Sequence, residues 1–229
     1  MFRALRVFIF VSTIALGSCS PGTGRTIAPT ILSTRGETVW FLDGSENLHR
    51  VQQNSKIGNG CVLRSSTDGQ LDLGLIPGVL TRVLANSKLK IENLNIEKDG
   101  NETAYSIRNR VATVELRRGR LVVAFEGAAN FTIKTAAVTI DVLPSCLISI
   151  EVDQNKTRLN CVRGDVRAKP RSGPETTVEA GYFREWPSPR NATAASEDRA
   201  AENEAMLARD AAMVLEESSA QRRDRLPVE

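Results

Sequence analysis

From Thr30 to Trp186, apolar side chains recur at every second position in short runs, and turn-forming residues close each run. A two-residue period places alternate side chains on one face of an extended chain, so this spacing predicts strands with one buried face. Leu71, Leu73 and Leu75 alternate with Asp72 and Gly74 after the tight-turn pair Asp68-Gly69. Ala112, Val114 and Leu116, then Leu121, Val123 and Phe125, alternate on either side of Gly119. Thr38 to Leu42, Leu48 to Val51, Leu89 with Ile91, Leu94 with Ile96, Phe131 with Ile133, and Val138 to Val142 extend the pattern. Leu147 to Val152 and Arg158 to Val166 flank the turn Asp153-Gln154-Asn155, which predicts a hairpin. No helical period interrupts the series, so the expected fold is all-β. Only 5% of residues are aromatic, so the core must be mostly Val, Ile and Leu.

One internal echo refines this picture. Val114-Glu115-Leu116-Arg117-Arg118-Gly119-Arg120-Leu121 matches Leu159-Asn160-Cys161-Val162-Arg163-Gly164-Asp165-Val166 in apolar spacing and in Arg-Gly. Each segment reads as a strand bent at a glycine. The match puts Cys161 in the core-facing slot of Leu116.

Beyond Trp186-Pro187-Ser188-Pro189 the composition changes. No Gly or Pro occurs from Ala194 to Arg223, and Ala201, Ala205, Ala208, Ala212 and Leu215 fall at steps of four and three. This predicts a C-terminal α-helix with a thin stripe, capped by Ser196, with Glu197 and Asp198 in its first turn. So slight a stripe predicts a solvated or loosely docked helix, with pairing to a partner helix as the alternative.

The amino end has the order of an export signal. Arg3 and Arg6 precede a greasy run from Val7 to Leu16, and Gly17, Ser18 and Cys19 close it. Roughly ten residues of helix at about 1.5 Å each cover half of a bilayer core of about 30 Å. Leu16-Gly17-Ser18-Cys19 resembles the lipobox of bacterial lipoproteins, which implies lipid attachment at Cys19. Simple secretion is the alternative. The protein is thus expected outside the cytosol, periplasmic and tethered by its lipid, with Ser20 favouring the outer membrane by the same resemblance. No second long greasy segment occurs, so membrane contact is expected through the anchor only.

Charge is uneven. Residues 20–190 carry 23 Lys and Arg against 18 Asp and Glu, an excess of +5. Residues 191–229 carry 5 against 9, a balance of −4. The densest basic stretch is Arg108, Arg110, Arg117, Arg118 and Arg120, a candidate binding surface for an acidic protein or anionic polymer. Its other reading is a set of charges that keep β edges from pairing with foreign strands. Export argues against nucleic acid as a partner.

Catalytic and metal chemistry is thinly represented. The single histidine, His49, sits on a strand edge beside Arg50 and reads as a half-exposed strand residue. One histidine and no metal-type cysteine spacing give no metal site, and no cofactor motif occurs. Asp72 and Glu92 could approach across strands, but 27 acidic residues make such pairs common by chance. Cys146 and Cys161 flank the predicted hairpin opposite or one diagonal step apart, where they stand either as a disulfide or as two buried thiols. Cys61 has no evident partner. Four Asn-x-Thr triplets fit glycosylation acceptors, but the lipobox resemblance implies a bacterium, where that machinery is usually absent, and Arg163-Gly164-Asp165 fits a strand corner better.

Taken together, several of these pieces resemble the FecR-like periplasmic domain. They are Gly60 to Leu73, Asn86-Ser87-Lys88-Leu89-Lys90-Ile91, Val114 to Leu121, Phe131-Thr132-Ile133-Lys134-Thr135, Cys161 to Val166 and Val178-Glu179-Ala180-Gly181. The resemblance implies a jelly-roll or β-helix-like stack of hairpins. It also implies a non-enzymatic domain that makes protein contacts at the cell envelope, as scaffold or signalling partner. Only about six residues precede the greasy run, so a cytoplasmic module that holds a sigma factor is not expected. The expected division is an export signal over 1–18, a tether over 19–29, the FecR-like β domain over 30–187, and a linker with helix over 188–229. A carbohydrate or peptidoglycan-binding module is the rival, and it would need exposed aromatics drawn from Trp40, Tyr105, Tyr182, Phe183 and Trp186.

Overall fold

Alternation such as that of Leu71, Leu73 and Leu75 buries one face of a strand only if a second layer covers it. The computed structural model describes residues 24–53, 55–98, 107–127, 129–188 and 190–224, so the export signal and Cys19 lie outside the described residues. Its strands are β1 (Gly24–Thr26), β2 (Thr30–Arg35), β3 (Thr38–Leu42), β4 (His49–Arg50), β5 (Cys61–Ser65) and β6 (Gln70–Ile76). They continue as β7 (Val79–Val83), β8 (Lys88–Lys98), β9 (Ile107–Phe125), β10 (Asn130–Lys134), β11 (Val138–Val142) and β12 (Cys146–Asp153). The last are β13 (Lys156–Arg163), β14 (Asp165–Pro170), β15 (Thr176–Glu179), β16 (Tyr182–Trp186) and β17 (Thr193–Ala194), followed by helix α1 (Arg199–Asp224). All-β architecture with one C-terminal helix is what the alternation predicted. Among the described residues, no helix is long and apolar enough to cross a membrane.

The strands form one hydrogen-bonded network folded into two layers. In the first, β3 pairs with β4 and β5, β5 with β8, β8 with β9, β9 with β10 in parallel, β10 with β11, β11 with β14 and β14 with β15. In the second, the order is β2, β6, β7, β9, β12, β13, β16, β17. The inward residues of both layers share one core, in which Leu71, Leu73, Leu75, Leu116, Leu121, Phe125, Phe131 and Cys161 are fully buried. Inside β8, a register shift between Ile91 and Asn93 lets Leu89, Ile91 and Leu94 all face inward, although the last two are three residues apart. The tether expected over 19–29 enters the sheet at Gly24, because β8 runs past β5 and offers an edge on which β1 pairs.

β9 belongs to both layers. Residues 107–118 pair with β8 in the first layer, and residues 119–125 pair with β12 in the second. The change of layer falls at Gly119, whose φ of 87° lies in the left-handed region. A Cβ there would stand 2.4 Å from the Cα of Ser87. Gly164 (φ 76°) makes the reverse crossing from β13 to β14. The internal echo is therefore a repeat of corner geometry.

Ser87 locks the first corner. Its hydroxyl donates to the Arg120 carbonyl at 3.1 Å and accepts from the Arg120 N–H at 2.8 Å. Its own N–H donates to the Ser65 hydroxyl at 2.9 Å, and that hydroxyl donates to the Leu84 carbonyl. Asn86 precedes it with a φ of 57°, a conformation that asparagine tolerates better than most residues. A Ser87→Ala substitution would remove the acceptor of the half-buried Arg120 N–H and should cost about 1–3 kcal/mol in urea unfolding.

Helix α1 lies against the outer face of the second layer, where the thin stripe predicted loose docking at most. Ala201, Ala208, Ala211, Ala212 and Leu215 are buried, and Ala208, Ala211 and Ala212 cover Val122, Ala124 and Leu147. Small side chains let the helix axis approach the sheet closely, so alanine docks the helix by proximity and not by bulk. Polar contacts reinforce it: Asn160 Nδ2 donates to the Ala201 carbonyl at 2.6 Å, and Arg120 pairs with Glu204 at 2.8 Å. The cap is Asp198 rather than Ser196, because Ala195–Glu197 form a 3-10 turn that delays the helix start. Asp198 Oδ1 accepts the Ala201 N–H at 2.9 Å and lies 2.8 Å from Arg158.

The Ala201 N–H and the Arg158 guanidinium hold the Asp198 carboxyl below the usual carboxylate value. A depressed folded-state pKa stabilises above the unfolded value, and that contribution disappears as pH falls through the folded value. The anchorage of α1 should be intact from pH 8 to 5 and weaken below about pH 4. Asp198→Ala should cost about 1 kcal/mol in urea unfolding, and Asp198→Asn less, because asparagine keeps the cap acceptor.

Candidate functional site

With α1 on one outer face, the other outer face belongs to the first layer, and it is polar. Alternation turns Lys90, Glu115, Arg117, Thr113, Thr132, Lys134, Thr139, Asp141, Arg167 and Lys169 away from the core. Two ion-pair groups cross this surface. Arg117 grips both oxygens of Asp43 at 2.8 Å and reaches Glu115 at 2.8 Å, while Lys90 stands 3.0 Å from Asp43. Lys134 pairs with Glu92 at 2.7 Å. The Arg117 hydrogen bonds, followed by that of Lys90, hold the Asp43 carboxyl well below the usual carboxylate range. At a wet surface such pairs fix side-chain positions more than they stabilise the fold.

At one end of this face, a cavity of about 610 Å³ opens between β9, β10, β11 and β14. Asn109, Arg110, Asn130, Thr132, Asp141 and Arg167 supply its polar lining. Register places Thr132, Asp141 and Arg167 side by side across three strands. Thr132 donates to Asp141 at 2.8 Å, and Asn130 to Asn109 at 3.4 Å. Arg110 makes a long hydrogen bond to the Pro77 carbonyl at 3.3 Å. Arg110 shares the inward side of β9 with Ala112, so the outward lining is one guanidinium, one carboxylate, two amides and a hydroxyl, which suits recognition of a polar ligand. Arg167, Asn109 and Asp141 were not singled out by sequence, and Asn130 and Thr132 stood out only as part of an Asn-x-Thr triplet. Their shared face emerges only from the pairing of four strands, two of them 58 positions apart at Arg167 and Asn109.

The five arginines of the basic stretch do not share one surface. Arg117 lies on the polar face, locked to Asp43 and Glu115. Arg120, past the Gly119 corner, lies on the opposite face against α1. Arg118 is exposed at the corner, and Arg110 lines the cavity. The Arg108 side chain lies outside the described residues.

An apolar groove of about 760 Å³ lies by α1, lined by Ile27, Leu32, Ile76, Leu80, Glu126 and Glu216 among others.

The remaining candidates have structural surroundings. His49 is exposed and stacks on Trp40 with ring centroids 4.7 Å apart. Asp72 pairs with Arg82, and Glu92 with Lys134, so the two carboxylates do not face one another. Among the described residues, no group of three or more His, Cys, Asp or Glu side chains converges as a metal site would require. Cys146 and Cys161 are free and buried, in the diagonal relation set by pairing of Ile148 with Cys161. Their thiols donate to the Asp165 and Gly164 carbonyls at 2.9 and 3.2 Å. Burial pushes the Cys161 thiol up to about 12 and raises that of Cys146, which suppresses the reactive thiolates at neutral pH. Of the aromatic candidates for sugar stacking, Trp186 is buried, Phe183 lies under Arg158 at 4.6 Å, and Tyr182 is well exposed. Tyr105 lies outside the described residues.

Residues 62–167 match the family model of FecR protein. This span runs from β5 into β14 and contains both glycine corners and the Ser87 lock. Two crystal structures of a provisionally assigned anti-sigma factor from Parabacteroides distasonis, at 1.65 and 2.50 Å resolution, are similar to this chain. Each has 10% sequence identity and a TM-score of 0.44, and the likeness covers 58% of this chain and 59% of that protein's length. Among curated proteins, none matches the sequence.

Proposed function

Starting from a FecR-like domain over residues 62–167, we propose that this protein is a regulatory binding module of the cell envelope, carried outside the cytosol on a lipid at Cys19. The observation that carries this reading is the asymmetry of the two outer faces. α1 covers one, and the other presents an ordered array of charged and hydroxyl side chains around a polar cavity. A preorganised polar face of this kind suits a protein partner, with Arg167 and Lys169 steering acidic surfaces toward it. Its role is contact and not catalysis: Asp43, Glu92 and Glu115 on this face are each held by a cation, as Asp43 is by Arg117.

A photo-crosslinking residue placed at Thr113 or Thr139, in cells making the full-length protein, should capture a discrete envelope protein. The same residue at Met213, on the exposed side of α1, should not. Capture from Met213 alone would overturn the assignment of the binding face. Radiolabelled palmitate should enter the protein and be lost in Cys19→Ala. Unchanged labelling in that variant would sink the tether.

A further inference from the structure

The apolar groove beside α1 lies over β2, β6 and β7, with Leu32, Ile76 and Leu80 in its walls and Gly74 in its floor. Gly74 pairs with Thr30 on one side and Leu80 on the other, and both line the groove. Its φ is not positive, and a Cβ there would stand 3.8 Å from both Leu80 Cδ2 and Thr30 Cβ. The depth of the groove therefore comes from a missing side chain that the backbone does not require to be missing. α1 borders the groove through Glu216 and Ser219. The buried stripe of α1 ends at Leu215, whereas the helix runs on to Asp224, and none of Glu216 to Gln221 is buried. Residues 216–224 hold no Leu, Ile, Val, Met or Phe, so these turns have no large apolar side chain with which to grip the sheet. The sequence continues as Arg225-Leu226-Pro227-Val228-Glu229, which lies outside the described residues. Proline has no N–H and its ring clashes with the carbonyl four residues earlier, so a helix ends before Pro227.

We propose that Leu226, Pro227 and Val228 turn back from the end of α1 and fill this groove, clamping the last turns of the helix onto β2, β6 and β7. The reach is sufficient: from Ser219 to Asp224 the helix rises about 7.5 Å, and three extended residues cover about 10 Å. Three consecutive apolar residues gain by covering Leu32, Ile76 and Leu80, and Gly74 leaves the floor open to receive one of them. An apolar segment of another protein would meet the same walls, but Leu226 is joined to the groove by a few residues and so has a high effective concentration there. This latch lies on the α1 side of the molecule and does not depend on the protein-binding reading of the polar face.

The test uses the full-length protein in detergent, with the photo-crosslinking residue benzoylphenylalanine in place of Leu226, irradiated and mapped by mass spectrometry. The monomer should carry a crosslink from position 226 to residues 27–32 or 74–80. Gly74→Val should lower its yield by about tenfold or more, because the added side chain occupies the floor. Gly74→Ala repeats the measurement, with a smaller loss, if valine impairs folding. Removal of residues 226–229 should speed amide exchange in residues 216–224 by about tenfold or more and leave the strands of the second layer unchanged. No crosslink, one that joins two copies or reaches lipid or another protein, or a yield that ignores both Gly74 variants would overturn the latch. Unchanged exchange after the truncation would overturn it as well.

Discussion

Replacing Asp72 with alanine should destabilise the protein by about 3–5 kcal/mol, one of the two largest single-residue losses expected in this chain. Asp72 lies on the outer side of β6, beside a neighbour strand that carries Arg82 directly opposite. The carboxylate takes two hydrogen bonds from Arg82, at 2.7 and 2.9 Å, and a third from the Ser33 hydroxyl at 2.7 Å. Its side chain is 1% exposed and that of Arg82 is 12% exposed. Removing the carboxylate leaves a nearly dehydrated guanidinium with no opposite charge, and that penalty exceeds the value of the original pair. Truncating both partners removes the stranded charge along with the bond. Asp72→Ala with Arg82→Ala should therefore unfold at a higher urea concentration than Asp72→Ala alone. A single variant within about 1 kcal/mol of wild type would contradict the account.

Gly119→Ala should be as damaging, at about 3–5 kcal/mol, and Gly119→Val should prevent folding. Two penalties combine. The backbone has a φ of 87°, which a residue with a Cβ adopts only under strain. The added Cβ would also meet the Ser87 Oγ at 2.3 Å and its Cα at 2.4 Å, and the second of these is backbone. Relief would require the β7–β8 corner to move, which breaks the hydrogen bonds from Ser87 to both sides of Arg120. Thermal unfolding followed by far-ultraviolet circular dichroism tests this. A variant that melts within a few degrees of wild type would show that the corner relaxes.

Much of the architecture was legible in local pattern, because a period of two is a direct imprint of a pleated chain with one wet face. Leu71, Leu73 and Leu75 declared β6, and the repeated Arg-Gly at Arg118 and Arg163 marked both corners. The predicted hairpin over Leu147 to Val166 was right as far as Arg163. Beyond it, Gly164 sends the chain into the other layer, and a two-residue period looks the same on either side of such a corner. The docking of α1 was illegible for a different reason. An alanine stripe carries little hydrophobic signal, and its effect depends on a flat partner of Val122, Ala124 and Leu147 that sequence does not bring into view. The basic stretch read as one patch because its members are close in sequence, but the bend at Gly119 turns Arg117 and Arg120 to opposite faces. The cavity shows the converse, since its members come from strands remote in sequence and meet only through register.

A strand shared between two layers has a further result. Neither half of the domain can melt while the other persists, because residues 107–118 and 119–125 are one backbone whose two ends are hydrogen-bonded into different walls. Peeling either wall away pulls the central rung out of its opposite number. Loss of order is thus expected to be all-or-none, so the polar face of the first layer and the seat of α1 on the second persist or vanish together.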